Sequence, residues 1–183
     1  MIRTLDIVFS LLGLVFSIPV FIAVMLLSLL DHGSPFFRQS RVGKNQQLFT
    51  LVKFRTMTIG TRSTGTHLVD PSSITNLGRF LRKTKLDELP QLFNVLVGQM
   101  SLVGPRPCLP NQTELISERS KRDVFNVRPG ITGLAQVNEV DMSTPRKLAR
   151  YDRLMINRMC LRLYIKLIII TASGQGRGDR VQA

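Results

Sequence analysis

The sequence predicts an α+β, mostly helical fold: a Pro-broken apolar N-terminal helix, a small β-hairpin, and a compact helical and loop-rich domain at a membrane surface. Three observations lead there. Ile7 to Leu30 is a run of 24 residues without a charge. Two short segments, Phe36–Arg41 and Leu48–Phe54, read as strands on either side of the turn signal Val42-Gly43-Lys44-Asn45. Further along, stretches with helical spacing alternate with stretches rich in Pro and Gly.

As one helix the apolar run would extend roughly 36 Å, enough to cross a bilayer. Pro19 sits in its middle, lacks an N–H and clashes with the preceding turn, so a break or kink is expected there. Ser17 is close enough to bond a backbone group that the break frees. Positive charge lies on both sides of the run, in the amino terminus and Arg3 before it and in the basic chain after His32. The positive-inside rule then favours keeping both ends in the cytoplasm. A kinked spanning helix and a re-entrant hairpin both remain open on the residues alone. The expected division is an anchor over 1–31, a domain over 32–173 and a polar, Gly-rich flexible tail over 174–183.

Residues 58–73, rich in Thr, Ser and Gly, are expected to form a loop. Ile74, Leu77, Phe80 and Leu81 have helical spacing, and Arg79, Arg82, Lys83 and Lys85 crowd the same segment. A basic amphipathic helix there suits anionic headgroups or phosphates, or is simply a solvated face. Pro90–Val97 reads as a second helix stopped near Gly98. Residues 101–113 and 126–136 are expected to be ordered loops, and 114–123 and 145–172 helices. Leu161–Ile170 is apolar except for Arg162 and Lys166, which suits either a core helix or one resting in the membrane interface.

Twenty-five Lys and Arg against twelve Asp and Glu give a formal charge of +13. That excess points to a polyanionic partner: nucleic acid, an anionic membrane or a phosphorylated substrate. Nucleic acid is the weakest of these, since there is no Trp and no stacking platform. The two histidines, His32 and His67, lack metal-ligand spacing, and Cys108 and Cys160 form no CxxC. A zinc site, a Ser-His-Asp triad and a structural disulfide are all disfavoured.

Leu86-Asp87-Glu88-Leu89-Pro90 is the most informative stretch. Asp87 stands where a helix should begin, and Pro90 is tolerated in a first turn. The helix N-terminus and the nearby cations are expected to keep Asp87 ionised, as a nucleophile or a Mg²⁺ ligand needs. Neighbouring residues on a helix point about 100° apart, so Asp87 and Glu88 suit two separate roles rather than a glycosidase pair. Taken alone, they are better read as an N-cap and an exposed acid. Their context adds Arg106 in Gly104-Pro105-Arg106-Pro107 and Arg128 in Arg128-Pro129-Gly130, each set among stiff and permissive residues that suit phosphate binding. Lys53 and Arg55 supply further cations at the end of the hairpin.

KFRTM at 53–57, LGRFLRKTKLDELPQLFNVLVGQMSLVGPRP at 77–107 and VRPGITGLAQVN at 127–138 together resemble the bacterial sugar transferase family, the monotopic phosphoglycosyl transferases, in its minimal catalytic form. The Pro-broken N-terminus and Arg150-Tyr151-Asp152 fit as well. The resemblance implies transfer of a sugar 1-phosphate from a UDP-sugar to polyprenyl (undecaprenyl) phosphate, with UMP released. It implies Asp87 as the nucleophile forming a covalent phosphosugar and as a ligand of Mg²⁺, with Glu88 as a helper that deprotonates or positions the lipid phosphate. It assigns Lys53, Arg55, Arg106, Arg128 and Asp152 to substrate binding, and Ser17 and Pro19 to the break of a re-entrant helix. It also implies contact with membrane phospholipid, and a place on the cytoplasmic face of the bacterial inner membrane within a glycoconjugate pathway. Residues 108–126 and 138–150 lie between the matching blocks and are expected to shape sugar choice. A homodimer is compatible with the sequence. The competing reading is a non-catalytic, basic, membrane-tethered adaptor, which would be insensitive to Asp87.

Overall fold

A computed structural model describes residues 1–61 and 71–173. The expected flexible tail, and most of the expected loop at 58–73, lie outside the described residues. Helix α1 spans Ile2–His32 and is continuous through Pro19, so the helix runs on where the sequence suggests a break. Pro19 withholds a donor from Val15, one turn back. Ser17 Oγ donates to the adjacent carbonyl, Leu14 O, at 3.2 Å. Lateral packing on the far side of the proline, by Val20, Phe21 and Val24, offsets the lost bond.

By length and composition α1 can cross a membrane, with a mean hydropathy of 2.7 over its most apolar window. Its two faces nevertheless differ. One face lies along the rest of the protein. Arg3 donates to Val95 O at 2.7 Å and Leu96 O at 2.9 Å, and Gly13 admits the close approach of Leu92. Farther along, Val20, Phe21 and Val24 pack against Phe54, Leu77 and Leu81. Asp6 is buried and accepts from Ser101 Oγ, Leu102 N and Tyr164 Oη at 2.8–2.9 Å. The other face exposes Leu12, Val15, Phe16, Ile22, Leu26 and Leu30.

Strands β1 (Phe36–Val42) and β2 (Leu48–Phe54) form the expected antiparallel hairpin, in register from Phe36 opposite Phe54 to Val42 opposite Leu48. The turn is a short 3₁₀ segment, Lys44–Gln46, entered from Gly43. Helices α2 (Asn76–Thr84) and α3 (Gln91–Leu96) follow where periodicity places them, and Gly98 ends the second at φ +87°. Thr75 caps α2 by accepting from Gly78 N at 2.9 Å. Asn94 on α3 pins the edge of β2: its Nδ2 donates to Thr50 O at 2.8 Å and its Oδ1 accepts from Val52 N at 3.2 Å.

Two expectations are corrected. The segments read as loops each contain a three-residue strand, β3 (Ser101–Val103) and β4 (Gly130–Thr132), paired in parallel. Glycine makes this pairing possible. A Cβ on Gly130 would stand 2.0 Å from Gly104 N, and one on Gly104 would stand 2.5 Å from Arg128 O. Strands this short leave no period to read. The predicted helix over 145–172 is two helices, α6 (Pro145–Asn157) and α7 (Leu161–Ala172), divided where Cys160 is extended. The break turns Tyr164 inward to Asp6, a tertiary demand without a local signal. Helices α4 (Thr113–Ser120) and α5 (Leu134–Val137) complete the domain.

On α7, Tyr164 and Leu167 are core, while Leu161 and Ile169 are exposed. The core reading of that segment therefore holds for one face, and the other face is exposed.

Gly130→Ala is expected to lower stability by about 1–3 kcal/mol through overpacking against Gly104. Thermal unfolding in detergent checks this; an unchanged midpoint would mean that the two loops do not approach as described.

Candidate active site

The dyad lies on a tight turn between α2 and α3. Lys85 ends α2 in the left-handed region, at φ 59°. Leu86–Glu88 then makes one 3₁₀ turn, closed by Glu88 N to Lys85 O and Leu89 N to Leu86 O, each at 3.2 Å. Pro90 starts α3. Residues three apart eclipse in a 3₁₀ turn, so Leu86 and Leu89 enter the apolar cluster of Phe54, Leu81 and Val24 together. Between them, Asp87 is buried and Glu88 turns to Lys53 and Arg106. Asp87 therefore sits in a connecting turn rather than as a helix cap.

Glu88 is the hub. Its Oε1 accepts from Lys53 Nζ at 2.8 Å and from both terminal nitrogens of Arg106 at 3.3 Å. All three side chains are largely buried. Lys53 arrives from β2, and Arg106 from the loop after β3.

Asp87 is 8 % exposed. Burial pushes its pKa up to about 6, from 3.8. Lys53, Arg82 and Arg106 oppose that rise, and the Glu88 charge adds to it. The direction is opposite to the one expected from a helix terminus and nearby cations, because desolvation outweighs both. A pKa of about 6 still lies below neutrality, so the ionised form is favoured at pH 7.

Lys53 and Arg106 thus meet the dyad, and the other sequence candidates are engaged elsewhere. Arg55 donates to Ser34 O and Phe36 O, both at 3.1 Å, and lies over the Phe37 ring, clasping the α1–β1 junction. Arg128 Nε donates to Gly98 O at 2.7 Å, joining the second Pro-Gly loop to the end of α3. Asp152 is fully buried on α6; Arg119 Nε donates to its Oδ2 at 2.9 Å.

Three further cations lie near the site: Arg82 and Lys85, read in the sequence only as part of a basic helix, and Arg119, which the sequence did not single out. Arg82 is close enough to act on Asp87, and its Nε donates to Thr56 Oγ1 at 2.9 Å. Lys85 lies near Glu88 and Arg106 and reaches Thr171 O at 3.4 Å; burial lowers its pKa. Arg119 donates to Arg106 O at 2.8 Å. Crowding of basic residues before Asp87 is visible in sequence, but it does not separate site cations from headgroup-facing ones.

Among the described residues, no group of three or more His, Cys, Asp or Glu side chains converges for a metal ion. Glu88 is occupied by cations, which leaves Asp87 as the carboxylate able to take one. A single carboxylate fits an ion that keeps waters and borrows substrate phosphate oxygens, as Mg²⁺ commonly does.

Residues 1–176 match the profile described as bacterial sugar transferase. The chain belongs to the bacterial sugar transferase family. It is 43 % identical over 143 residues to an uncharacterized sugar transferase of Bacillus subtilis, covering 78 % of this chain and 70 % of that protein. It is 42 % identical to a UDP-glucose:undecaprenyl-phosphate glucose-1-phosphate transferase of Xanthomonas campestris, over 76 % of this chain and 31 % of that one. An undecaprenyl-phosphate galactose phosphotransferase of Salmonella typhimurium is 39 % identical, over 78 % and 34 %. The chain thus spans about a third of the length of those two relatives and more than two-thirds of the Bacillus protein.

Because the folded-state pKa of Asp87 lies above its ordinary value, ionising it costs stability. That cost grows as pH rises from about 4 through about 6 and is complete above that. Asp87→Asn is therefore expected to stabilise the protein at pH 7.5, by up to about 3 kcal/mol, with the gain shrinking as pH falls toward 4. Unfolding midpoints of both proteins across pH 4–8 check this; a gain independent of pH would contradict the burial account.

Proposed function

We propose that this transferase moves a sugar 1-phosphate from a UDP-sugar to undecaprenyl phosphate, or a closely similar polyprenyl phosphate, in two displacements at Asp87. In the first, an Asp87 oxygen forms a bond to the β-phosphorus while the bond to the bridging oxygen breaks, and UMP departs with that oxygen. In the second, an oxygen of the lipid phosphate attacks the same phosphorus, giving the polyprenyl-diphosphate sugar and freeing the carboxylate. The observation that carries this reading is the surroundings of Asp87: a buried carboxylate on the same turn as Glu88, whose Oε1 gathers Lys53 at 2.8 Å and Arg106 at 3.3 Å.

Those cations lower the repulsion between a carboxylate and an anionic diphosphate and match the charge that grows on the leaving UMP. Mg²⁺, when bound, would supply further neutralisation of the diphosphate, with Asp87 as its protein ligand. Glu88 serves better as the post that fixes Lys53 and Arg106 than as a base, since its Oε1 already accepts from both. A phosphate monoester has its second pKa near 6, so the lipid acceptor is largely deprotonated without help.

We place the chain on the cytoplasmic face of the bacterial inner membrane. Arg3 and Asp6 near the start of α1, and Val24 near its end, contact the same domain, so the bilayer thickness does not separate them. This favours a helix embedded from one side, whether re-entrant or lying along the surface, over a simple span. Phe80, Phe93 and Ile169 on α2, α3 and α7 are exposed apolar side chains, as are those on the outer face of α1. Arg79 and Lys83 border them on α2, where phospholipid headgroups would lie. The relatives' names cover glucose and galactose, and the donor proposed is the class, a UDP-sugar.

UMP release from a UDP-sugar, with Mg²⁺ and undecaprenyl phosphate in detergent, is expected for the wild type. It is expected to fall at least 10³-fold in Asp87→Asn, given that losing one strong catalytic group typically costs that much. Turnover by Asp87→Asn close to wild type would sink the mechanism.

A further inference from the structure

The loop that carries Arg106 is tied at three successive carbonyls. Arg119 Nη1 donates to Arg106 O at 2.8 Å, Arg41 Nη1 to Pro107 O at 3.0 Å, and Val42 N to Cys108 O at 2.9 Å. The first two donors are charged side chains with almost no exposure: Arg119 is 1 % exposed and Arg41 9 %. Each has a second partner that fixes its direction. Arg119 Nε donates to Asp152 Oδ2 at 2.9 Å, and its Nη2 lies 2.8 Å from the same oxygen. Arg41 Nη2 donates to Gln39 Oε1 at 2.6 Å.

Two buried guanidinium groups are a costly way to hold a loop if holding is all that is needed. Burying a charge is unfavourable unless it is well paired, and an apolar replacement often serves stability as well or better. What such groups supply is direction. A guanidinium has donors at fixed angles, so one group can hold Asp152 and the Arg106 carbonyl in a single geometry. The guanidinium of Arg106 points from that fixed backbone to Glu88, beside the nucleophile.

We propose that Arg119, oriented by Asp152, and Arg41 are positioning residues that set the direction of Arg106 for its phosphate. Asp152 then acts two residues removed from the reaction rather than by touching substrate. This inference rests on the transferase reading of the site.

The test is a double-mutant cycle on UMP release under single-turnover conditions, with wild type, Arg119→Lys, Arg106→Gln and the double variant. Lysine keeps the charge opposite Asp152 but cannot also hold the Arg106 carbonyl. Arg119→Lys is expected to slow release at least tenfold in the wild-type background and by less than twofold when Arg106 is already Gln. Equal losses in both backgrounds, or no loss in either, would overturn the proposal, whatever the effect on melting temperature. If Arg119→Lys does not fold, the same cycle with Arg41→Lys decides in the same way. A wild type that releases no UMP would instead sink the transferase reading, so the two failures are distinguishable.

Discussion

The ion pairing at Glu88 joins three segments distant in sequence. Lys53 is delivered by a hairpin strand whose edge Asn94 pins, and Arg106 by a loop tied at three carbonyls. Glu88 stands on a turn anchored by Leu86 and Leu89 in the apolar cluster. If this carboxylate is removed, two partly buried cations lose their common partner and their reason to converge. Leaving buried charges uncompensated is expensive, so the pairing couples the fold of the domain to the geometry of its site.

Asp87 is held in a balance that the same pairing sets. Burial alone favours its neutral form, whereas three cations favour its anion, and one of those charges is offset by Glu88. The result is a carboxylate more basic than an exposed aspartate yet still largely ionised near neutrality. A more basic carboxylate is a better nucleophile, so the burial that makes Asp87 costly to ionise also suits it to attack phosphorus. The anchor shows a related economy. Asp6 is buried beside an apolar helix face, yet Ser101, Leu102 and Tyr164 satisfy it, and it fastens α1 to both β3 and α7.

The legible parts of the sequence are those with local causes. The hairpin, α2, α3 and α4 follow from alternation, helical spacing and glycine stops. Asp87, Glu88, Lys53 and Arg106 were readable as a group because acids and cations of that kind recur beside rigid turns. The β3–β4 pair was not, since three-residue strands carry no period and their partners come from opposite sides of α4. Arg55 and Arg128 stand in the same kind of context as Arg106, and the structure shows them donating to backbone carbonyls rather than meeting Glu88. Arg119 and Asp6 gave no sign, because a polar group that is buried and satisfied looks in sequence like one left on the surface.

The claim at the centre of this account is that Asp87 itself bonds to phosphorus while Glu88 only holds the cations. Intact-protein and peptide mass spectrometry after mixing the protein with UDP-sugar and Mg²⁺, in the absence of polyprenyl phosphate, tests it directly. The account predicts added mass equal to one phosphosugar, carried by the peptide at Asp87, in both the wild type and Glu88→Gln. An adduct on another residue, or none at all from an enzyme that turns over when lipid phosphate is supplied, would contradict it.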